Sequence, residues 1–221
     1  MKTLKMEVAM TNAHLIYFAD PMCSWCWGFS PVIDSIRQEF GPSLPIRLIL
    51  GGLRPGTTET LGETSKREIR EHWTHVHAAT SQPFDFGFFE RQNFIYDSEP
   101  VSRAVIIARH RSISGALDFL KRTHAAFYAQ NRDVTDEQVL ADLAMEAGFD
   151  RDEFLQEFRS EEIRKETWQD FAITQKAGVR GFPCLIAGTD EQAGYSLVTA
   201  GYQPAERVLP ILREFLLDMP M

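Results

Sequence analysis

Cys23 and Cys26 stand two residues apart in Cys23-Ser24-Trp25-Cys26, and with Cys184 they are the only cysteines in 221 residues. Three cysteines are too few for a disulfide scaffold, and a Cys-x-x-Cys spacing points to redox or metal chemistry. Thiol–disulfide exchange needs one accessible thiolate to attack and a second thiol near enough to resolve the mixed disulfide. A helix that starts at the first cysteine supplies both. Its unpaired N–H groups and positive dipole end stabilise the Cys23 anion, and Cys26 falls one turn further in, where it is more buried. Cys23 is then the candidate nucleophile and Cys26 the candidate resolving thiol. The alternatives are a structural zinc half-site, for which no second ligand pair stands at usable spacing, and two inert core cysteines.

The elements needed to position such a pair are legible around it. His14 to Ala19 is a short apolar run closed by the turn pair Asp20-Pro21, which predicts a buried strand directly before the cysteines. From Trp27, apolar residues recur at Phe29, Val32, Ile33, Ile36 and Phe40 until Gly41-Pro42, a helical period that begins at the dithiol. Ile46 to Leu50 predicts a second strand, and strand–helix–strand suggests a parallel pair with a right-handed crossover. From about Glu63 to about Ser160 only helical patterns occur, among them Val101 to Arg111, Ala116 to Tyr128, Glu137 to Ala147 and Phe154 to Phe158. A helix from about Glu161 to Ala177 ends at Gly178 and leads through Gly181-Phe182-Pro183 into a strand at Cys184 to Ala187. Tyr195 to Ala200 reads as its hairpin partner, and Pro204 to Leu217 as a closing helix with Val208, Ile211, Leu212 and Phe215 on one face. The expectation is an α/β core at 1–56 and 161–221, split by an all-helical domain at 57–160.

A net charge of −8 and a pI near 5.3, with no basic run, argue against nucleic acid and anionic membrane partners. Glu7, Thr11, Asn12 and His14 interrupt any leader-like apolar stretch, and no later run approaches a membrane span, so a cytoplasmic protein is expected.

Phe18-Ala19-Asp20-Pro21-Met22-Cys23-Ser24-Trp25-Cys26-Trp27-Gly28-Phe29 resembles the active-site segment of DsbA-like oxidoreductases, especially the cytosolic branch of protein-disulfide-isomerase-like and FrnE-like proteins. Pro31 matches the helix-kinking proline of thioredoxin-fold proteins, and Gly178 to Pro183 looks like their cis-proline loop. The resemblance spans the chain and implies a thioredoxin-like core with an inserted all-helical domain. It implies Cys23 and Cys26 as the catalytic pair, Pro183 as the cis-proline facing them, and Phe182 as the residue whose backbone pairs with a bound peptide. The implied partner is a disulfide-containing protein or a small thiol such as glutathione, with no cofactor and no metal. Two positions depart from the pattern. Cys184 stands where relatives often have Thr, and Tyr17 occupies the place, six residues before Cys23, where many keep a buried carboxylate that moves the resolving thiol's proton. Nothing in the sequence names its replacement, Asp20 included.

Trp25, set between the cysteines, is the best candidate for an apolar substrate-holding rim with Phe182, whereas Trp27 and Phe29 read as core. His72, His75 and His77 lack a further ligand and read as solvated or packed; Gly51-Gly52 with Arg54 reads as a loop leaving the core, and Ser98 as a helix cap. The expected activity is disulfide reduction or isomerisation. Against a cytosolic poise near −260 mV, even a dithiol near −120 mV is over about 99% reduced, at about 30 mV per decade. A glutathione-dependent isomerase or kappa-class transferase is the second reading, weakened because such enzymes usually carry Ser at the Cys23 position and lack the second cysteine. A non-catalytic peptide-binding module is the third.

Overall fold

The computed structural model describes residues 12–189, 192 and 194–218; residues 1–11, on which the leader argument partly rests, lie outside this range. Strand β1 (His14–Ala19) leads into helix α1 (Ser24–Phe40), and β2 (Ile46–Leu50) follows. The helices α2 (Glu63–Thr80), α3 (Glu99–Arg111), α4 (Ile113–His124), α5 (Glu137–Glu146), α6 (Arg151–Phe158) and α7 (Glu161–Lys176) come next, then β3 (Cys184–Gly188), β4 (Tyr195–Ala200) and α8 (Ala205–Leu217). The sheet order is β2-β1-β3-β4, with β1 and β2 parallel, β3 antiparallel to β1, and β4 antiparallel to β3. This is the α/β core with helical insertion that the sequence led us to expect.

β1 is central because both its faces are apolar. Leu15, Tyr17 and Ala19 are buried on one face, where Tyr17 packs against Phe29 of α1 with ring centroids 5.9 Å apart. The outer edge of β2 is closed by side chains from the helices. Asp170 accepts from Leu50 N at 2.8 Å, Thr174 donates to Leu50 O at 2.9 Å, and Arg109 donates to Leu48 O at 3.0 Å. An edge strand left bare would present those groups for unwanted pairing.

The helical segment has an aromatic centre of its own. Trp73 of α2 lies 4.8 to 5.9 Å, centroid to centroid, from the rings of Phe84, Phe88, Phe89, Phe127 and Tyr128. Three local expectations need correcting. The helix expected over Ala116–Tyr128 starts at Ile113 and gives way after His124 to a π turn at Ala125–Ala129, closed by Gln130 N on Ala125 O. One residue inserted into a turn leaves no mark on a 3.6-residue period. Ser98 precedes α3 but does not cap it; its hydroxyl accepts from Arg54 N at 3.1 Å, and Asp97 accepts from Glu99 N instead. In α8, Val208 and Leu212 are buried as expected while Ile211 is 42% exposed, because the helix packs along a narrower stripe than its composition suggests.

Candidate redox site

The site begins as a turn. Asp20-Pro21-Met22-Cys23 reverses the chain at the end of β1, closed by Cys23 N donating to Asp20 O at 3.1 Å. Pro21 occupies the turn's second position, where its fixed φ is suited. Cys23 is the N-cap of α1: its carbonyl accepts from Cys26 N at 3.0 Å and Trp27 N at 3.2 Å. The helix therefore starts at the first cysteine, with its dipole's positive end there. All three cysteines are free thiols.

The pair is asymmetric. Cys26 is fully buried and Cys23 retains 7% exposure. Burial first, and Cys23 beside it second, push the Cys26 thiol well above its ordinary range, partly opposed by the backbone of Asp20. Cys23 Sγ lies 3.5 Å from the carbonyl oxygen of Phe182, to which it donates, and the Phe182–Pro183 peptide bond is cis. Cys23, Cys26, Phe182 and Pro183 are thus brought together, although 159 positions separate Cys23 from Phe182.

Trp25 is half-buried, stacked on Tyr202 at 5.6 Å, so its face is shared with the loop before α8. Trp27 and Phe29 are core. The Phe182 ring lies over Gly51 so closely that a β-carbon there would fall 2.1 Å from a ring atom. Phe182 lines two cavities. One, of about 400 Å³, is lined by Gly51, Gly52, Leu53, Trp168 and Phe171; the other, of about 490 Å³, by Phe18, Val179, Gly181, Cys184 and Leu197. Cys184 is a buried residue opening β3, its thiol raised by burial.

The Gly51-Gly52 loop serves this packing, with Gly51 N donating to Ala19 O at 2.7 Å and Leu53 N to Asp20 at 2.7 Å. His72, His75 and His77 are exposed on α2, and among the described residues no cluster of three metal-ligating side chains occurs.

Four polar groups stand around the dithiol, of which the sequence marked Tyr17 only as a departure from the family pattern and left Asp20 without a role. Tyr17 lies beside the two thiols; burial, then the charges of Cys26 and Cys23, hold that phenol protonated far past neutral pH, so it does not act as a base. Asp20 is fully buried, its two oxygens accepting from Met22 N at 2.8 Å and Leu53 N at 2.7 Å. Burial pushes its carboxyl up to about 6, against those hydrogen bonds. His124 donates through Nε2 to Asp20 O at 3.1 Å, and burial lowers its pKa to about 4, so the ring is neutral. Tyr96 donates to Met22 O at 2.9 Å. The position of Asp20 after an apolar strand and before Pro signals a turn, which masked its second role. His124 and Tyr96 gave no signal, one being an ordinary residue of a helical pattern and the other lying in irregular chain before α3.

Comparison with known proteins agrees with this geometry. A family model for the DSBA-like thioredoxin domain matches residues 14–208. A Nitrosomonas europaea protein provisionally assigned as a protein disulfide isomerase is 35% identical in sequence, with a TM-score of 0.87 over 94% of this chain and 99% of that one. The cytosolic disulfide reductase DsbM of Pseudomonas aeruginosa shares the fold, at 24% identity and a TM-score of 0.74 over 92% of this chain and 99% of that one. Among curated relatives, the ClpXP adapter protein SpxH of Halalkalibacterium halodurans is 25% identical over 202 residues, covering 90% of this chain. The chain spans 66% of that relative's length, just under two thirds. With its redox-type turn, parallel crossover and helical insertion, the chain belongs to the family of DSBA-like thioredoxin domains.

Proposed function

We propose that the protein reduces or isomerises disulfides through Cys23 and Cys26. One observation carries the reading: an N-capping Cys23, at 7% exposure the less buried of the pair, stands against the Phe182 carbonyl, with a fully buried thiol one turn behind it. The Cys23 thiolate attacks a substrate sulfur; the new bond forms as the substrate S–S bond breaks and one substrate thiolate leaves. Cys26 then gives up its proton and attacks Cys23 Sγ, releasing the second substrate thiolate and leaving a Cys23–Cys26 disulfide. The substrate gains two electrons, and two thiols such as glutathione return the protein to its dithiol form. In isomerisation the substrate's own thiol displaces Cys23, and no net oxidation follows.

Trp25, Phe182 and Pro183 are the proposed substrate-binding residues, with the 57–160 segment as a helical insertion domain and the cytoplasm as the compartment. The DsbM likeness supports the reductive direction, since that protein is named a cytosolic disulfide reductase and its structure is also known with GSH. The test is insulin reduction by dithiothreitol and refolding of a scrambled disulfide protein. Acceleration by the wild type and none by Cys23→Ser is expected; no acceleration in either assay sinks the proposal.

A second reading, a peptide-binding adapter without turnover, is favoured by the curated relatives named ClpXP adapter. It predicts that alkylating both thiols leaves partner binding intact.

A further inference from the structure

The turn that carries Cys23 is held from outside the thioredoxin-like core. Its first carbonyl, Asp20 O, receives Cys23 N from within the turn and His124 Nε2 from the end of α4, both at 3.1 Å. Its third carbonyl, Met22 O, receives the Tyr96 hydroxyl at 2.9 Å from the segment before α3. Both donors are buried, and both come from the inserted helical segment, 104 and 74 positions away from their acceptors. They are also braced. The other ring nitrogen of His124 lies 3.5 Å from Ser30 Oγ, whose single proton goes either to that nitrogen or to Cys26 O at 3.2 Å. The Tyr96 oxygen is 3.5 Å from that of Tyr128, which belongs to the aromatic centre around Trp73. The π turn begins immediately after His124, at the contact itself.

We propose that Tyr96 and His124 are positioning residues for Cys23: by holding the Met22 and Asp20 carbonyls turned into the helical segment, they keep those dipoles away from the thiolate and set its reactivity. This rests on the redox function proposed above. A thiolate at a helix N-terminus is favoured by N–H groups aimed at it and disfavoured by carbonyl oxygens that approach it. Three of the turn's polar groups, the two carbonyls and the Asp20 carboxylate, are fixed by residues outside it, the last through Leu53 N. Without Tyr96 the Met22 carbonyl is free to rotate, and without His124 the Asp20 carbonyl is held by Cys23 N alone; either loosens the turn, brings an oxygen toward Sγ and shifts Sγ from the Phe182 carbonyl. Neither residue touches a substrate, and neither gives up a proton near neutral pH.

The experiment compares wild type, Tyr96→Phe, His124→Leu and His124→Gln. Tyr96→Phe removes one oxygen and keeps the ring, and Gln keeps a donor near the place of Nε2. The readouts are the alkylation rate of Cys23 at pH 7, followed by mass spectrometry of its peptide, and the dithiol–disulfide equilibrium against glutathione. Alkylation by a free reagent follows the thiolate population, so Tyr96→Phe and His124→Leu should slow it, about tenfold where most of the thiolate is lost. The equilibrium should move toward the disulfide, and His124→Gln should recover most of the loss. If the folded variants alkylate and equilibrate like the wild type and differ only in melting temperature, the two residues are merely structural and the proposal is overturned. Should the wild type fail to cycle with glutathione, the redox function itself fails, and the alkylation rates still decide whether the two residues position Cys23.

Discussion

Asp20 is the group whose burden is easiest to measure. It is fully buried three residues before Cys23, and its carboxyl is raised from 3.8 to about 6, mainly by burial. A raised carboxyl binds its proton more tightly in the folded chain, so its stabilising contribution is complete below the unfolded value near 4 and is lost as pH rises through about 6. From 3.8 to about 6, the loss amounts to about 3 kcal/mol at about 1.4 kcal/mol per unit, an order-of-magnitude figure. Urea unfolding of the wild type at pH 4 and pH 7 should show this fall. Asp20→Asn should lack that part of the pH slope while being less stable at both values, since its amide N–H₂ must face one of the N–H groups of Met22 and Leu53. A slope unchanged by Asp20→Asn would mean that the carboxylate is solvated well enough to ionise normally. The same charge sits near Cys26, whose thiol must lose its proton to resolve a mixed disulfide. Tyr17, protonated throughout, can only donate to the sulfur as it becomes negative.

Between elements, two contacts decide how the sheet presents the dithiol. Arg109 of α3 binds Asp170 of α7 at 2.7 Å and Leu48 O of β2 at 3.0 Å, while Asp170 also takes Leu50 N. Removing one partner of a buried pair strands the other charge, which costs about 3–5 kcal/mol, so Arg109→Leu should lower unfolding free energy by about 3 kcal/mol. With Asp170→Asn added, the pair should cost less than the sum of the two single changes, as a double-mutant cycle would record. The other contact is Gly51 under Phe182. Gly51→Ala places a methyl group 2.1 Å from the ring, so the ring and the carbonyl facing Cys23 must move. Cys23-dependent turnover should fall about tenfold or more, and adding Phe182→Ala should restore much of the lost stability without restoring turnover. Equal turnover in Gly51→Ala and wild type would show that the Phe182 carbonyl has no part in the chemistry. The sequence announced Gly51-Gly52 only as a break after a strand, because a glycine needed for clearance and one needed for a turn look alike along the chain.

At the scale of the molecule, the strands, the helix at the dithiol and the helical insertion were legible because period and punctuation are local properties: His14–Ala19, Ile46–Leu50 and Tyr195–Ala200 stand as the sequence predicted. What was not legible is what joins the two parts. His124 and Tyr96 look like filler until packing brings them to Asp20 O and Met22 O, and Arg109 looks like a surface charge until α3 lies along β2. Those joints have a consequence for folding. The buried apolar residues form one continuous cluster running from Leu15 and Tyr17 of the sheet through Trp73, Phe127 and Phe154 of the insertion. A core that is continuous in this way, with three side chains of the insertion satisfying backbone groups of the sheet and its active turn, has no seam along which to open separately. Urea unfolding followed by far-UV circular dichroism and by tryptophan fluorescence should therefore give coincident single transitions. Trp25 and Trp27 report on the redox helix and Trp73 on the insertion, so a seam would reveal itself as two midpoints. Replacing residues 57–160 by a short linker should leave the remainder unfolded, because Leu48 O loses Arg109, Met22 O loses Tyr96, Asp20 O keeps only Cys23 N, and the cluster loses its larger aromatic part. A folded, cooperatively melting core from that deletion would show that the insertion is an addition to the thioredoxin-like unit and not a component of it.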